Sequence, residues 1–390
     1  MKNNRTFLEK LLDGSEVEWK PLDEVANIVN NARKPVKSSS RVSGNIPYYG
    51  ANNIQDYVEG YTHEGEFVLI AEDGSASLGN YSIQWAVGKF WANNHVHVVN
   101  GKEKLNNRFL YHYLTNMNFI PFLAGKERAK LTKAKLQQIP IPIPPLSVQT
   151  EIVKILDALT ALTSELTSEL ILRQKQYEYY REKLLSEEEL GKVGFEWKTI
   201  DEISKKISSG GTPTTSNNGY YDNGTIPWLR TQEVDFKEIW DTNIKITEDA
   251  LNNSSAKWIP ANCVIVAMYG ATVGKTAINK IPLTTNQACA NIEINDKLAC
   301  YRYIFHYLTS KYEYIKSLGS GSQTNINAQI IKKLKVPVPP IEEQYRIVSI
   351  LDKFETLTNS ITEGLPLAIE QSQKRYEYYR ELLLNFPSRE

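Results

Sequence analysis

The sequence predicts an α+β fold with a pseudo-twofold internal repeat, in which two similar domains are separated by two long antiparallel, coiled-coil-like helices. Three observations carry the prediction. Four motifs occur twice in the same order. The first part of each copy holds short β-type runs among Gly, Asn and Tyr. The second part carries apolar residues at alternating steps of three and four.

The motifs define the repeat. Val17-Glu-Trp-Lys-Pro-Leu-Asp-Glu-Val25 returns as Phe195-Glu-Trp-Lys-Thr-Ile-Asp-Glu-Ile203, and Asn107-Arg-Phe-Leu-Tyr-His-Tyr-Leu-Thr115 as Tyr301-Arg-Tyr-Ile-Phe-His-Tyr-Leu-Thr309. Pro144-Pro145, Gln149 and Ile155-Leu-Asp157 return as Pro339-Pro340, Gln344 and Ile350-Leu-Asp352; Tyr177-Glu-Tyr-Tyr-Arg181 returns as Tyr376-Glu-Tyr-Tyr-Arg380. Such ordered matches make the chain a tandem duplication. Its segments are an N-terminal helix (1–16) completing the C-terminal helical region, a first domain (17–145), a central helical spacer (146–190), a second domain (191–340) and a C-terminal helical spacer (341–390). Leu8-Glu-Lys-Leu-Leu12 ahead of the first domain echoes Glu182-Lys-Leu-Leu185 ahead of the second, a circular arrangement whose ends meet.

Within the domains, Phe67-Val-Leu-Ile-Ala71 and Cys263-Val-Ile-Val-Ala267 are apolar runs of strand length. Each domain closes on an alternating proline run (Ile139–Pro145 and Lys335–Pro340). Proline neither continues a helix nor donates to a ladder, so these runs read as extended connectors. In the spacers, Val148, Ile152, Ile155, Leu159, Leu162 and Leu166, then Ile347, Ile350, Phe354, Leu357 and Ile361, form a/d seams. Each seam is short but has a match, so the economical reading packs the two helices on each other, antiparallel; the alternative lays each on its own domain. The first helix, about Ser147 to Ser186, would be ~60 Å long. Gly364 and Pro366 predict a kink or break in the second.

At 390 residues, with 41% hydrophobic and 23% charged residues, the chain suits two or three domains with substantial cores. No run approaches the roughly 20 apolar residues of a membrane helix, and the N-terminus lacks an apolar signal core. Cys263, Cys289 and Cys300 form no CxxC pair, so a reducing cytoplasm is expected, without disulfides or structural zinc. The formal net charge of zero counts against nucleic-acid binding, although binding depends on local charge.

The repeated Pro-Pro-Leu/Ile run, the Glx after it, the heptad beginning Ile-Val-x-Ile-Leu-Asp and the Lys-x-Tyr-Glu-Tyr-Tyr-Arg end, set between dissimilar domains, resemble the specificity (S) subunit of type I restriction–modification systems over essentially the whole chain. The resemblance implies a non-catalytic subunit in which two target-recognition domains each read one half of a bipartite, asymmetric DNA target, with the helices as a ruler. It further implies docking of two methyltransferase (M) subunits and of restriction (R) subunits. S-adenosylmethionine, ATP and Mg are then expected on those partners, with no cofactor or metal on this chain.

Phosphate contacts need Lys and Arg, and base edges are read by Arg, Lys, Asn, Gln and Ser/Thr. Arg33, Lys34, Lys37 and Arg41 lie in a Ser-rich loop with no acidic residue from Asn30 to Asn45. Lys126, Arg128, Lys130, Lys133 and Lys135 form a second cluster opposed only by Glu127, and in the second copy Lys332, Lys333 and Lys335 stand at the place equivalent to the Lys133–Gln138 stretch. The bland reading of each is a solvated face. Thr212 in the Gly210–Thr215 loop and Arg230 after Ile226-Pro-Trp-Leu are further candidates. Gly270-Ala-Thr-Val-Gly-Lys-Thr276 has one residue too few between its glycines for a phosphate-binding P-loop, so it reads as a tight turn whose Lys275 is free to meet a DNA phosphate.

Machinery for chemistry is absent from the sequence pattern. No Asn/Asp-Pro-Pro-Tyr/Phe methyltransferase motif occurs. Asp201-Glu202 with Lys205 starts a helix-like repeat rather than a nuclease site, and His112 and His306 read as packed residues on matching helices. His95 and His97 alternate on a strand and make a poor metal pair. Tyrosine and arginine favour interfaces, so Tyr177, Tyr180, Arg181, Tyr376, Tyr379 and Arg380 are candidates for the M-subunit surface; the competing reading has them cap the helix seam. A scaffold with two carbohydrate-binding domains that expose Trp85, Trp91 and Trp228 is the alternative from another class. A specificity part trimmed from a fused restriction–methylation enzyme is a third.

Overall fold

The Glu-Trp-Lys motif and the proline run are two halves of one small ladder, and each copy builds it. The computed structural model describes residues 6–125, 129–319 and 325–387, and the chain divides into two units, 1–167 with 368–390, and 168–367.

The first unit begins with α1 (Phe7–Leu12), opened by a reciprocal Thr6–Glu9 capping box. β1 (Glu18–Pro21) and the short helix α2 (Leu22–Val25) lead into a six-stranded sheet. Its strands are β2 (Ala26–Ile28), β3 (Ser43–Tyr49), β4 (Ile54–Val58), β5 (His63–Ala71), β6 (Ile83–Ala92) and β7 (Val96–Gly101), in the order β2-β7-β5-β6-β3-β4. Only β3 and β6 run parallel. α3 (Asn107–Asn116) packs on this sheet, its N-cap Asn106 accepting the N–H groups of Arg108 and Phe109. After α4 (Lys133–Gln137), β8 (Pro140–Ile143) pairs with β1, and the 39-residue helix α5 (Leu146–Leu184) follows. The proline run is therefore a strand, not merely a connector: a ladder uses alternate N–H groups, so prolines at every second position leave it intact.

The second unit takes the end of α5, then α6 (Glu187–Gly191) and β9 (Glu196–Thr199). β10 (Ser204–Ser209), β11 (Ile226–Leu229), β12 (Lys237–Ile239), β13 (Lys245–Ile246), α7 (Glu248–Asn252), β14 (Trp258–Ile259), β15 (Val264–Ala267), β16 (Thr276–Asn279), β17 (Leu283–Thr285) and β18 (Cys289–Ile294) come next. They form a five-stranded sheet, β10-β18-β15-β16-β12, and a four-stranded one, β13-β11-β17-β14. α8 (Tyr301–Ser310), α9 (Tyr312–Ser317) and α10 (Ala328–Lys333) precede β19 (Lys335–Val338), which pairs with β9 in the register of β8 with β1. α11 (Ile341–Asn359) closes this unit. α12 (Leu365–Leu384) returns the chain to the first, where Leu383, Leu384 and Phe386 join Leu8, Phe109 and Leu110 in the core.

The helical seams differ from expectation. Ile152 is buried in the core of the first unit with Leu156 beside it, and Ile155 packs at its edge. Ile347 and Leu351 are buried in the core of the second, with Phe354 packed against it. The early heptads thus cover their own domains, which is the alternative reading. Further along, Leu159, Leu166, Ile350 and Leu357 are only half-buried, and Leu162 is 40% exposed. Ile361 lies beyond the end of α11 and is 76% exposed. A three-and-four spacing identifies an apolar face but not its cover. Inside the first unit α5 meets α12, where Thr163 Oγ1 and Ser372 Oγ share a hydrogen bond of 2.8 Å. Inside the second it meets α11. Tyr177 donates to Glu355 (3.3 Å) and, three residues on, Tyr180 stacks on Phe354, the order an antiparallel pair gives. The predicted break falls at 360–364, with Gly364 at φ +92° and Pro366 in the first turn of α12. Among the described residues no helix is long and apolar enough to cross a membrane.

Candidate nucleic-acid interface

The loop at Asn30–Asn45 sorts its cations into two kinds. Arg33 points inward with a side chain 17% exposed. It donates to Glu72 (2.7 Å), to the Val96 carbonyl (2.8 Å) and to the Asn30 carbonyl (3.1 Å). Lys130 reaches the other Glu72 oxygen at 2.9 Å. Burial works against the Glu72 charge, but these two cations outweigh it and hold the carboxyl below the usual range. Arg41 lies over the Tyr48 ring at 4.1 Å, donates to the Val36 carbonyl and pairs with Asp56. Arg33, Arg41 and Lys130 therefore hold the loop together. Lys34 and Lys37 are exposed, make no ion pair with the described residues, and flank a recess of about 410 Å³ backed by Tyr48 and Trp91. Lys133 and Lys135 on α4 are likewise exposed and unpaired among the described residues. Lys126 and Arg128 lie outside the described residues.

In the second unit the Gly210–Thr215 loop is pinned rather than loose. The buried Trp228 donates its indole N–H to the Gly211 carbonyl at 2.9 Å, and Tyr221 donates to that of Pro213 at 2.7 Å. A Cβ on Gly210 would overlap the Thr285 carbonyl at 1.8 Å, so glycine is needed for the close approach. Thr212 donates to Gln287. Arg230 starts a 3₁₀ turn with its Nε buried and unpartnered among the described residues. Gly270–Thr276 is a tight turn between β15 and β16, with Gly270 and Gly274 at φ +83° and +82°. Lys275 pairs with Asp235 at 2.6 Å and Lys332 with Asp201 at 3.3 Å, whereas Lys333 makes no ion pair among the described residues. The exposed cations left for phosphates are thus Lys34, Lys37, Lys133, Lys135 and Lys333.

The tyrosine-rich helix ends are partly internal. Tyr177 is buried with Arg181 over its ring, and burial raises its phenol far above the usual range. Tyr376 carries Arg380 over its ring, and Tyr379 packs on Phe7. Tyr180 keeps an exposed edge. The outward rings are Tyr179 and Tyr378, matching positions that sequence reasoning passed over, at 57% and 62% exposed. Their signal was the middle Tyr of the Tyr-x-Tyr-Tyr pattern, two residues and so about 200° around the helix from the ring that packs inward.

The histidines are structural. His97 is buried, donating Nε2–H to the Leu131 carbonyl (2.7 Å) and accepting from Asn30 at Nδ1 (2.9 Å); His95 contacts Asp73. His112 and His306 are packed as expected, and each also bonds an aspartate of the spacer, Asp157 or Asp352, at 2.8 Å. His306, Asp352 and Glu355 offer ligand atoms within 4.8 Å of one another, but the Arg302 guanidinium bonds both carboxylates and supplies the cation there. Burial resists the charge of Asp352, yet its bonds from His306 and Arg302 keep its carboxyl low. Burial pushes that of Glu355 up. Asp201 is tied to Lys332, and Lys205 to Asp296.

Two stretches, residues 14–173 and 192–371, match the family model of the type I restriction modification DNA specificity domain. The chain belongs to this family. It is 64% identical over 400 residues to the Haemophilus influenzae protein S.HindORF215P, named for a type I restriction enzyme specificity subunit, covering 99% of this chain and 100% of that one. It is 37% identical over 407 residues to the Escherichia coli EcoR124I/EcoR124II specificity subunit, covering 99% and 98%. The crystal structure of the type I S subunit from M. genitalium shares the fold, with a TM-score of 0.60 at 15% identity over 100% of this chain and 99% of that one. This specificity subunit is thus the DNA-recognising, non-catalytic component of a type I restriction–modification enzyme. The carbohydrate-scaffold alternative falls with it: Trp228 is 4% exposed, and Trp85 and Trp91 are only partly exposed.

Proposed function

We propose that each unit of this subunit reads one half of a bipartite, asymmetric DNA target and that α5 sets the spacer between the halves. The observation that carries the reading is a shared frame with different faces. Both units build the same two-stranded ladder and bond the same Gln, Asp, His and Arg positions to their helices. Their sheets differ, one six-stranded and the other split into five and four strands. Identical mounting suits one assembly role, and unlike surfaces suit two different half-sites.

Lys34, Lys37, Lys133, Lys135 and Lys333 are the candidates for phosphate contact, with Thr212 and Arg230 nearer a base-reading role. Local lysines, rather than net charge, supply the attraction in a chain whose charges cancel. Two M subunits dock on the helices, where Tyr179 and Tyr378 present matching aromatic surface, and R subunits complete the enzyme. S-adenosylmethionine, ATP and Mg are bound by those subunits. Mapping methylated adenines across the genome of a host carrying the intact system tests the reading: a motif of two short halves with a fixed degenerate spacer is expected, and one uninterrupted motif would refute it.

A further inference from the structure

The spacer helices hold each domain by two polar attachments eight residues apart. In the first unit the buried Gln149 accepts the N–H of Asn106, the N-cap of α3, at 2.9 Å and donates to the carbonyls of Lys104 and Pro144. In the second, Gln344 accepts the N–H of Cys300, the N-cap of α8, at 2.8 Å and donates to Pro339. Two turns later Asp157 Oδ1 takes Arg108 (2.9 Å) and His112 (2.8 Å), and Asp352 Oδ1 takes Arg302 (2.7 Å) and His306 (2.8 Å).

Eight residues separate the attachments by about 12 Å along the helix and about 80° around it. Ile152 and Leu156, or Ile347 and Leu351, fill the interval. Apolar burial is non-directional and tolerates sliding or rocking, whereas hydrogen bonds are directional and short-ranged, and those to the aspartates are charge-assisted. Two such points, displaced both along and around a rod, fix tilt and roll together. The surroundings of the aspartates differ while the bonds persist. Arg108 lies against Trp85 and Tyr111, and Arg302 against Glu238 and Glu355.

We propose that Gln149 with Asp157, and Gln344 with Asp352, are positioning residues that lock the angle of each DNA-reading domain on its helix and thereby set discrimination between spacer lengths. The inference rests on the two-half-site reading above.

The test uses the full subunit assembled with its methyltransferase partners and labelled duplexes carrying the mapped target, with the spacer native, one base pair shorter or one longer. In Asp157→Asn and Asp352→Asn the preference for the native spacer is expected to fall about tenfold, the effect of losing one hydrogen bond to a charged group. Discrimination among bases inside each half-site stays as in the wild type. His306→Gln keeps a donor near Asp352 and retains the wild-type preference. A preference within about twofold of wild type in both Asn variants overturns the proposal, as does an equal loss in His306→Gln. If Asp352→Asn does not fold, Asp157→Asn decides alone, its carboxylate being 37% exposed. A wild-type complex indifferent to spacer length would overturn the two-half-site reading as well. A selective wild type with unaltered variants overturns only the attachment.

Discussion

Residues Thr163–Leu166 and Thr167–Leu170 are identical Thr-Ser-Glu-Leu tetrads in the middle of α5, and deleting the second is a controlled way to shorten the ruler. Four residues remove about 6 Å of rise and leave the following helix turned by about 40°. With base pairs stacked every ~3.4 Å, the shift corresponds to between one and two pairs. The local chemistry survives, because Glu165 takes the place of Glu169, which pairs with Arg173 at 2.7 Å four residues on. Thr163 keeps its bond to Ser372. The opposite connection is not one continuous helix but breaks at 360–364, between α11 and α12. Stability should therefore change by no more than about 0.5 kcal/mol. Adenine-methylation mapping in a host carrying the deletion should return the same two half-sites with a spacer one or two base pairs shorter. An unchanged spacer, or altered bases within the halves, would refute the ruler.

Replacing both Lys34 and Lys37 by Ala should lower the slope of log affinity against log salt by about 1.8, at ~0.9 per phosphate. Arg33→Ala should leave that slope alone and destabilise the fold by about 1.5–3 kcal/mol, since it removes the shorter of the two ion pairs on Glu72 and leaves Lys130 in place; salt-titrated binding and urea unfolding separate the two. Phe109 is fully buried, so Phe109→Ala should cost about 3–5 kcal/mol in chemical unfolding, and a loss under ~1 kcal/mol would contradict the core assignment. Burial depresses the His97 imidazole below its ordinary 6.5, and His63 and His112 shift the same way. The unfolded chain then binds protons first as pH falls, so stability is full above about 6.5 and declines below it. Thermal melts should fall from pH 7.5 to 5.5, less steeply in His97→Gln.

The duplication, the break near Gly364 and the packing of His112 and His306 were legible because each depends on short-range pattern. The cover of the seams was not. Ile152 and Ile347 look alike in sequence whether they face a second helix or their own domain, and only the fold of α3 and α8 decides. The internal partners of Arg33 and Arg41 were hidden for a related reason: Glu72 stands 39 residues from Arg33 and Asp56 stands 15 from Arg41, beyond any local charge count. Gln149 and Asp157 were visible as repeated letters, but their bonding to the N-cap and to His112 arises only where the fold brings α3 against α5. The unlike sheets of the two units follow from long-range strand pairing among divergent loops, which no periodicity encodes.

The central claim, that the two domains read independently, is tested most directly by exchanging residues 17–145 for the first domain of another family member and mapping methylated adenines in the host. The account predicts a target with one half replaced, and the other half retained. Replacement of both halves, or retention of both, would contradict it.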